Sequence, residues 1–138
     1  MHHDYTVLLI EDNDIVIRFI QTIITDNYNT KKFKFISVTT VREAIAVFSE
    51  NYQTIDLVLI DGNLGGKKDG YPIIDTLPVM RFINDKRLAG EFKGKSIAIS
   101  TRDDFNKALI DNGCDYAINK NKELKKLISA RALPLPPK

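Results

Sequence analysis

The chain has 138 residues, 43% of them hydrophobic and 28% charged, which fits one ordinary domain and excludes a disordered or low-complexity polymer. Twenty Lys/Arg against 18 Asp/Glu leave a formal charge of +2, too weak for the electrostatic footprint of a nucleic-acid-binding domain. The single cysteine, Cys114, excludes a disulfide framework and a CxxC-type zinc site. No apolar run approaches the ~18–20 residues of a membrane helix, and Met1-His2-His3-Asp4 is too polar for a signal peptide. These features lead us to expect a soluble, cytoplasmic globular domain, with His2 and His3 as a tag remnant or an exposed tail.

Two hydrophobic periods alternate along the chain. Tyr5 to Ile10 is a short β-type run. From Asp14 to about Asp26, Ile15, Phe19 and Ile23 are spaced by four, a helical stripe that Asn13 or Asp14 can cap. Phe33 to Val38 is extended, with Phe33 and Phe35 on one face. Thr39 or Thr40 caps a helix carrying Val41, Ala44, Ile45 and Phe48. Ile55 to Ile60 is almost continuously apolar, as in a parallel strand buried on both faces. The next ten residues, Asp61 to Gly70, contain four glycines and read as a loop. Tyr71 to about Ala89 is helical but broken near Pro78. Lys95 to Ser100 is a fourth strand, and Arg102 to Asn112 a helix stopped by Gly113. Tyr116 to Ile118 is a short fifth strand. Asn121 caps a last helix with Leu124, Leu127 and Ile128 inward. Residues 1–132 form the domain, and the Pro-rich residues 133–138 are a tail or the start of a linker.

This alternation demands a parallel sheet with right-handed crossovers and helices on both faces. The fold class is α/β, a flavodoxin-like (βα)5 doubly wound five-stranded sheet of order 2-1-3-4-5. Ligands of such sheets bind outside the carboxyl ends of the strands. Glu11 and Asp12 follow the first strand, Asp61 follows the third, Ser100 ends the fourth, and the fifth runs into Lys120. Three carboxylates at one rim repel unless a cation joins them. Lys120 supplies one positive charge. Magnesium, which takes a few carboxylate or carbonyl oxygens plus waters, suits the rest. The charge is also uneven: residues 1–70 carry seven basic and ten acidic residues, residues 71–138 thirteen and eight.

Four segments in this order, Val7-Leu-Leu-Ile-Glu-Asp12, Leu57-Val-Leu-Ile-Asp61 with Asp69-Gly70, Ile97-Ala-Ile-Ser100 and Gly113-Cys-Asp-Tyr-Ala-Ile-Asn-Lys120, resemble the receiver domain of two-component response regulators over roughly residues 4–131. The resemblance implies a phosphoprotein of a phosphorelay. Asp61 would accept a phosphoryl group from a histidine kinase or phosphotransfer protein. Asp12, Asp61 and the Asn63 backbone carbonyl would ligate magnesium, with Glu11 acting through water. Lys120 would pair with the phosphoryl group or Asp61, and Ser100 would be the switch hydroxyl. The module would be a switch and not an enzyme, with no direct nucleic-acid or membrane contact; the output partner and homodimerisation stay open.

The sequence departs from the family at several points. Ala117 stands where the family has an aromatic residue, with Tyr116 beside it, and Asn121 replaces the usual proline after the lysine. Gly65 stands where a proline is common, the stretch from Gly70 to Ser100 is long, and Thr101 replaces a frequent alanine. A phosphorylation-independent interaction module is therefore the alternative. A haloacid-dehalogenase-like phosphatase would need a second aspartate two positions after Asp61, where Asn63 stands. The basic last helix (Lys122, Lys125, Lys126, Arg131) reads as a solvated face or a docking surface for an acidic partner.

Overall fold

The computed structural model describes residues 4–121 and 123–137; His2, His3 and Lys122 lie outside them. Strands β1 (Tyr5–Ile10), β2 (Phe33–Val38), β3 (Leu57–Ile60), β6 (Lys95–Ala98) and β7 (Tyr116–Ala117) form one sheet in the order β2-β1-β3-β6-β7, with every neighbouring pair parallel. A separate two-residue hairpin, β4 (Lys67–Lys68) with β5 (Tyr71–Pro72), interrupts the numbering. The main sheet therefore has the expected flavodoxin-like order. Helices α1 (Asp14–Asn27), α2 (Val41–Asn51), α3 (Leu77–Leu88), α4 (Asp103–Asp111) and α5 (Leu124–Ser129) complete the chain.

Alternating strand side chains feed two cores, because successive residues of a strand face opposite sides. Val7, Leu9, Leu57, Leu59 and Ile97 pack with Ile17, Ile20 and Ile24 of α1 and Leu124 and Ile128 of α5. Leu8, Ile10, Val58, Ile60 and Ala98 pack with α2, α3 and Leu109 of α4. Phe48 anchors this second core, fully buried, with ring centroids 5.1 Å from Phe92 and 5.8 Å from Phe82. At the far end of α3, Arg87 pairs with Asp115 and donates to the Gly113 carbonyl, tying α3 to the turn before β7.

The structure corrects the expected stripe on α1. Ile17, Ile20 and Ile24 are buried, while Ile15 is 78% and Phe19 44% exposed. Apolar residues occupy seven positions between Ile15 and Ile24, so two overlapping stripes exist, and docking on β1 and β3 selects one. Asn13 caps the helix through Oδ1, accepting from Ile15 and Val16. Thr40 caps α2 and accepts from Glu43 N–H.

The segment after Asp61 also differs from expectation. Asp69 and Gly70 both adopt positive φ, 52° and 81°, the turn that joins a two-residue hairpin. Tyr71 and Pro72 are thus strand, not helix. Pro78 does not break α3: it sits in the first turn, where its missing N–H has no intrahelical partner to lose. Asn121 does not cap α5. Its own N–H donates to Asn119 Oδ1, and Glu123 holds the cap position. Leu127 is only half-buried. Arg131 donates from Nε to the Asn27 carbonyl, so it is tied to α1 and not simply solvated.

The tail has no helix, yet it is packed. Leu133 is buried, Leu135 lies against the α1–α5 core, and the Leu133 N–H donates to Tyr28 Oη. Tyr5 Oη donates to the Pro136 carbonyl at 2.9 Å. The boundary expected after residue 132 falls just before these contacts. No helix among the described residues is long and apolar enough to cross a membrane.

Candidate functional site

Strand register builds the site. Ile10, Ile60, Ala98 and Ala117 form one row across β1, β3, β6 and β7. Just beyond that row, Asp61 N–H donates to Ile10 O, Ile99 N–H to Ile60 O and Ile118 N–H to Ala98 O. The residues that follow each strand are therefore delivered to a common rim. Glu11, Asp12, Asn63, Ser100, Thr101 and Lys120 join Asp61 around a cavity of about 230 Å³.

Lys120 bridges two carboxylates, with Nζ 2.9 Å from Glu11 Oε1 and 3.0 Å from Asp61 Oδ2. Ligand oxygens of Glu11, Asp12 and Asp61 all lie within 4.8 Å of one another. Asp12 is exposed, whereas Glu11 and Asp61 are buried. Glu11 Oε2 is buried without a hydrogen-bond partner among the described residues. Burial, aided by the adjacent Asp61 carboxylate and opposed by Lys120, pushes the Glu11 carboxyl from its ordinary 4.5 up to about 8. Burial works against the Lys120 charge, but Asp61 and Glu11 outweigh it and hold its pKa above the ordinary value.

Asp61 is fixed from three sides. Its Oδ1 accepts the Gly62 N–H at 2.7 Å, its Oδ2 faces Lys120, and its carbonyl accepts the Thr76 hydroxyl at 2.8 Å. A Cβ on Gly62 would lie 2.7 Å from Phe105 Cβ, so the chain passes close under α4. Ser100 is buried, and its hydroxyl oxygen accepts the Arg102 N–H at 3.1 Å. Asn106 clamps the Ser100 backbone, accepting from its N–H and donating to its carbonyl. The Asn63 side chain turns back into its own loop and donates to the carbonyls of Gly66 and Ile73.

Every residue expected at the site is on its wall. Sequence reasoning missed Thr76, Asp75 and Asn106. Thr76 precedes a Leu-Pro pair at a helix start, a cap signal that was available, but its hydroxyl serves the Asp61 carbonyl instead. Asn106 is an inward polar residue inside a helix, and no local pattern marks it. A larger cavity of about 480 Å³ lies at the opposite end of the sheet, near Asp56, Gly94 and Pro136. No comparable cluster of ligating groups converges there among the described residues, and the carboxyl ends of the strands are the ligand-binding end of this architecture.

No protein-family description and no curated protein matches the sequence. Solved structures do match the fold. The response regulator Rcp1 in its Mn2+-bound form is 21% identical, with 96% of this chain and 99% of that chain covered, at a TM-score of 0.69. The phosphorylated cyanobacterial phytochrome response regulator RcpA is 24% identical, with coverage of 96% and 90%, at 0.67. The BeF3-activated N-terminal receiver domain of Klebsiella pneumoniae RstA is 19% identical, with coverage of 96% and 99%, at 0.68. The fold is that of response regulator receiver domains.

Proposed function

We propose that the protein is a phosphoryl-accepting receiver: a histidine kinase or phosphotransfer protein donates to Asp61, and the new group switches partner binding. The observation that carries this reading is the Lys120 ammonium held between Glu11 and Asp61, with Asp12 completing a carboxylate cluster. A carboxylate is a competent nucleophile for phosphoryl transfer when positioned and charge-compensated.

The residues present fit a hard divalent cation. Three carboxylates share one bowl, and one buried Glu11 oxygen lacks a partner among the described residues. Asp12, Asp61 and the Asn63 carbonyl would hold magnesium, with Glu11 acting through water; the oxygen donor set suits magnesium or manganese. The bound ion would neutralise charge on the transferring oxygens.

Asp61 attacks phosphorus, a carboxylate oxygen–phosphorus bond forms, and the donor imidazole leaves with the bonding pair and then takes up a proton. Lys120 releases part of its hold on Asp61 to meet the phosphoryl oxygens. Ser100 rotates from the Arg102 N–H toward the new acceptor, and Asn106 keeps its backbone in place while it does so. That exchange supplies the local event by which a phosphoryl group biases a surface. The switch itself has no substrate to turn over, and a cytoplasmic setting agrees with a kinase partner.

Mass spectrometry after acetyl phosphate, with magnesium and with EDTA, tests the reading. A magnesium-dependent gain of one phosphoryl group that Asp61→Ala abolishes supports it. No gain, or a gain that survives Asp61→Ala, favours the phosphorylation-independent module, for which Ala117 in place of an aromatic residue is the motivating observation.

A further inference from the structure

The loop after Asp61 is bracketed by one carboxylate that the receiver reading leaves unused. Asp75 lies just before α3. Its N–H donates to the Gly62 carbonyl at 3.0 Å. Its Oδ1 accepts the Leu64 N–H at 2.8 Å and its Oδ2 the Gly66 N–H at 2.9 Å. Asp75 thus grips the backbone on both sides of Asn63. The Asn63 side chain closes the same loop from within: Oδ1 accepts the Gly65 N–H, and Nδ2 donates to Gly66 O and Ile73 O. The fit at Gly66 is tight. A Cβ there would sit 2.6 Å from Asp75 Oδ2, so any side chain at 66 would push the carboxylate off its amides.

A carboxylate whose two oxygens each receive a backbone N–H holds those amides directionally. Holding the backbone before and after a residue fixes the direction of that residue's carbonyl. We propose that Asp75 is a positioning residue for the cation site, holding the Asn63 carbonyl in place as a ligand. This rests on the reading of Asn63 as a carbonyl donor. The β4–β5 hairpin sits between the two ends of the clamp, so the same bonds that anchor the hairpin shape the site.

Two variants break the clamp from opposite sides. Asp75→Asn replaces one acceptor by an NH2 group facing an N–H, and Gly66→Ala displaces the carboxylate. Calorimetric titration with Mg2+ measures affinity, acetyl phosphate labelling at saturating Mg2+ measures the plateau, and thermal unfolding in EDTA measures the fold. Each variant should lower Mg2+ affinity about 10-fold, the scale seen when a group supporting a metal ligand is removed, while the labelling plateau at saturating Mg2+ is retained. The double variant should be no worse than the weaker-binding single one, because both remove one interaction. Parent-like Mg2+ affinity in a folded variant overturns the proposal, since a clamp that serves only the hairpin would lower the melting temperature alone. In the parent, Mg2+ should increase the protection of the Leu64 and Gly66 amides against hydrogen exchange, because coupling between site and clamp is reciprocal. Unchanged protection overturns it even if neither variant folds. A parent chain that binds no Mg2+ removes the receiver reading and this proposal together; a parent that binds while the variants bind equally removes this proposal alone.

Discussion

Lys120 and Glu11 are 109 positions apart in the chain, yet Lys120 Nζ lies 2.9 Å from Glu11 Oε1. The ammonium is 14% exposed and the carboxylate 1%. Lys120 also meets Asp61 Oδ2 at 3.0 Å, and removing the ammonium leaves that buried carboxylate without its compensating charge, at a cost of about 3–5 kcal/mol. Lys120→Met should therefore lower the unfolding free energy of the EDTA-treated protein by that order. Added Mg2+ should recover part of it by supplying the missing positive charge. Urea titrations with and without Mg2+ measure both effects; an EDTA-state stability equal to the parent's contradicts the electrostatic account.

The raised Glu11 pKa sets a pH dependence of stability without metal. Its folded value, about 8, stands above the ordinary 4.5, so the folded state holds a proton that the unfolded chain releases. The contribution is fully present below about pH 4.5, declines as pH rises and is lost above about pH 8. Thermal midpoints in EDTA should fall between pH 6 and pH 8.5, and Glu11→Gln should flatten that slope. The shift is on the order of a few °C. A slope identical in the variant assigns the effect to another group.

Phe48 fills the centre of the α2–α3 core, in contact with the rings of Phe82 and Phe92. Phe48→Ala opens a cavity among α2, α3 and the loop that carries Phe92, and should cost about 3–5 kcal/mol in a urea titration. A loss below about 1 kcal/mol would mean that the surrounding rings collapse into the space.

Leu133, Leu135 and the Tyr5–Pro136 bond make residues 133–137 part of the domain's packing. We expect a chain ended after Ala132 to melt several degrees lower than the full chain, since two apolar side chains and two hydrogen bonds are lost. An unchanged melting temperature would show that the tail only rests on the surface.

Thr101 borders the cavity that holds Asp61, and its bulk beyond alanine is expected to slow the entry of water to a phosphoryl group there. Thr101→Ala should speed loss of the phosphoryl group, measured as decay of the labelled protein after donor removal. A decay rate no faster than the parent's refutes this role.

Glu11, Asp12 and Asp61 directly follow their strands, and Ser100 and Lys120 come two and three residues after theirs. In a parallel sheet such positions lie at one edge, so apolar runs with caps were enough to point these residues at a common rim. The face of α1 was harder. Ile15, Phe19 and Ile23 make as good a stripe as Ile17, Ile20 and Ile24, and helical periodicity alone has no preference between them. The hairpin was misread as loop and helix because its strands are two residues long, although Asp69-Gly70 is a strong turn signal.

Local physics thus determined the parallel α/β architecture and the placing of charged residues at the strand ends, since these follow from apolar period and chain connectivity. Only the tertiary structure decided which side of α1 is buried, that the Pro-rich tail packs against the α1–α5 core, and that Asp75 and Thr76 reach back to Asp61 and the loop after it. Those outcomes depend on contacts between elements whose geometry no short window of residues contains.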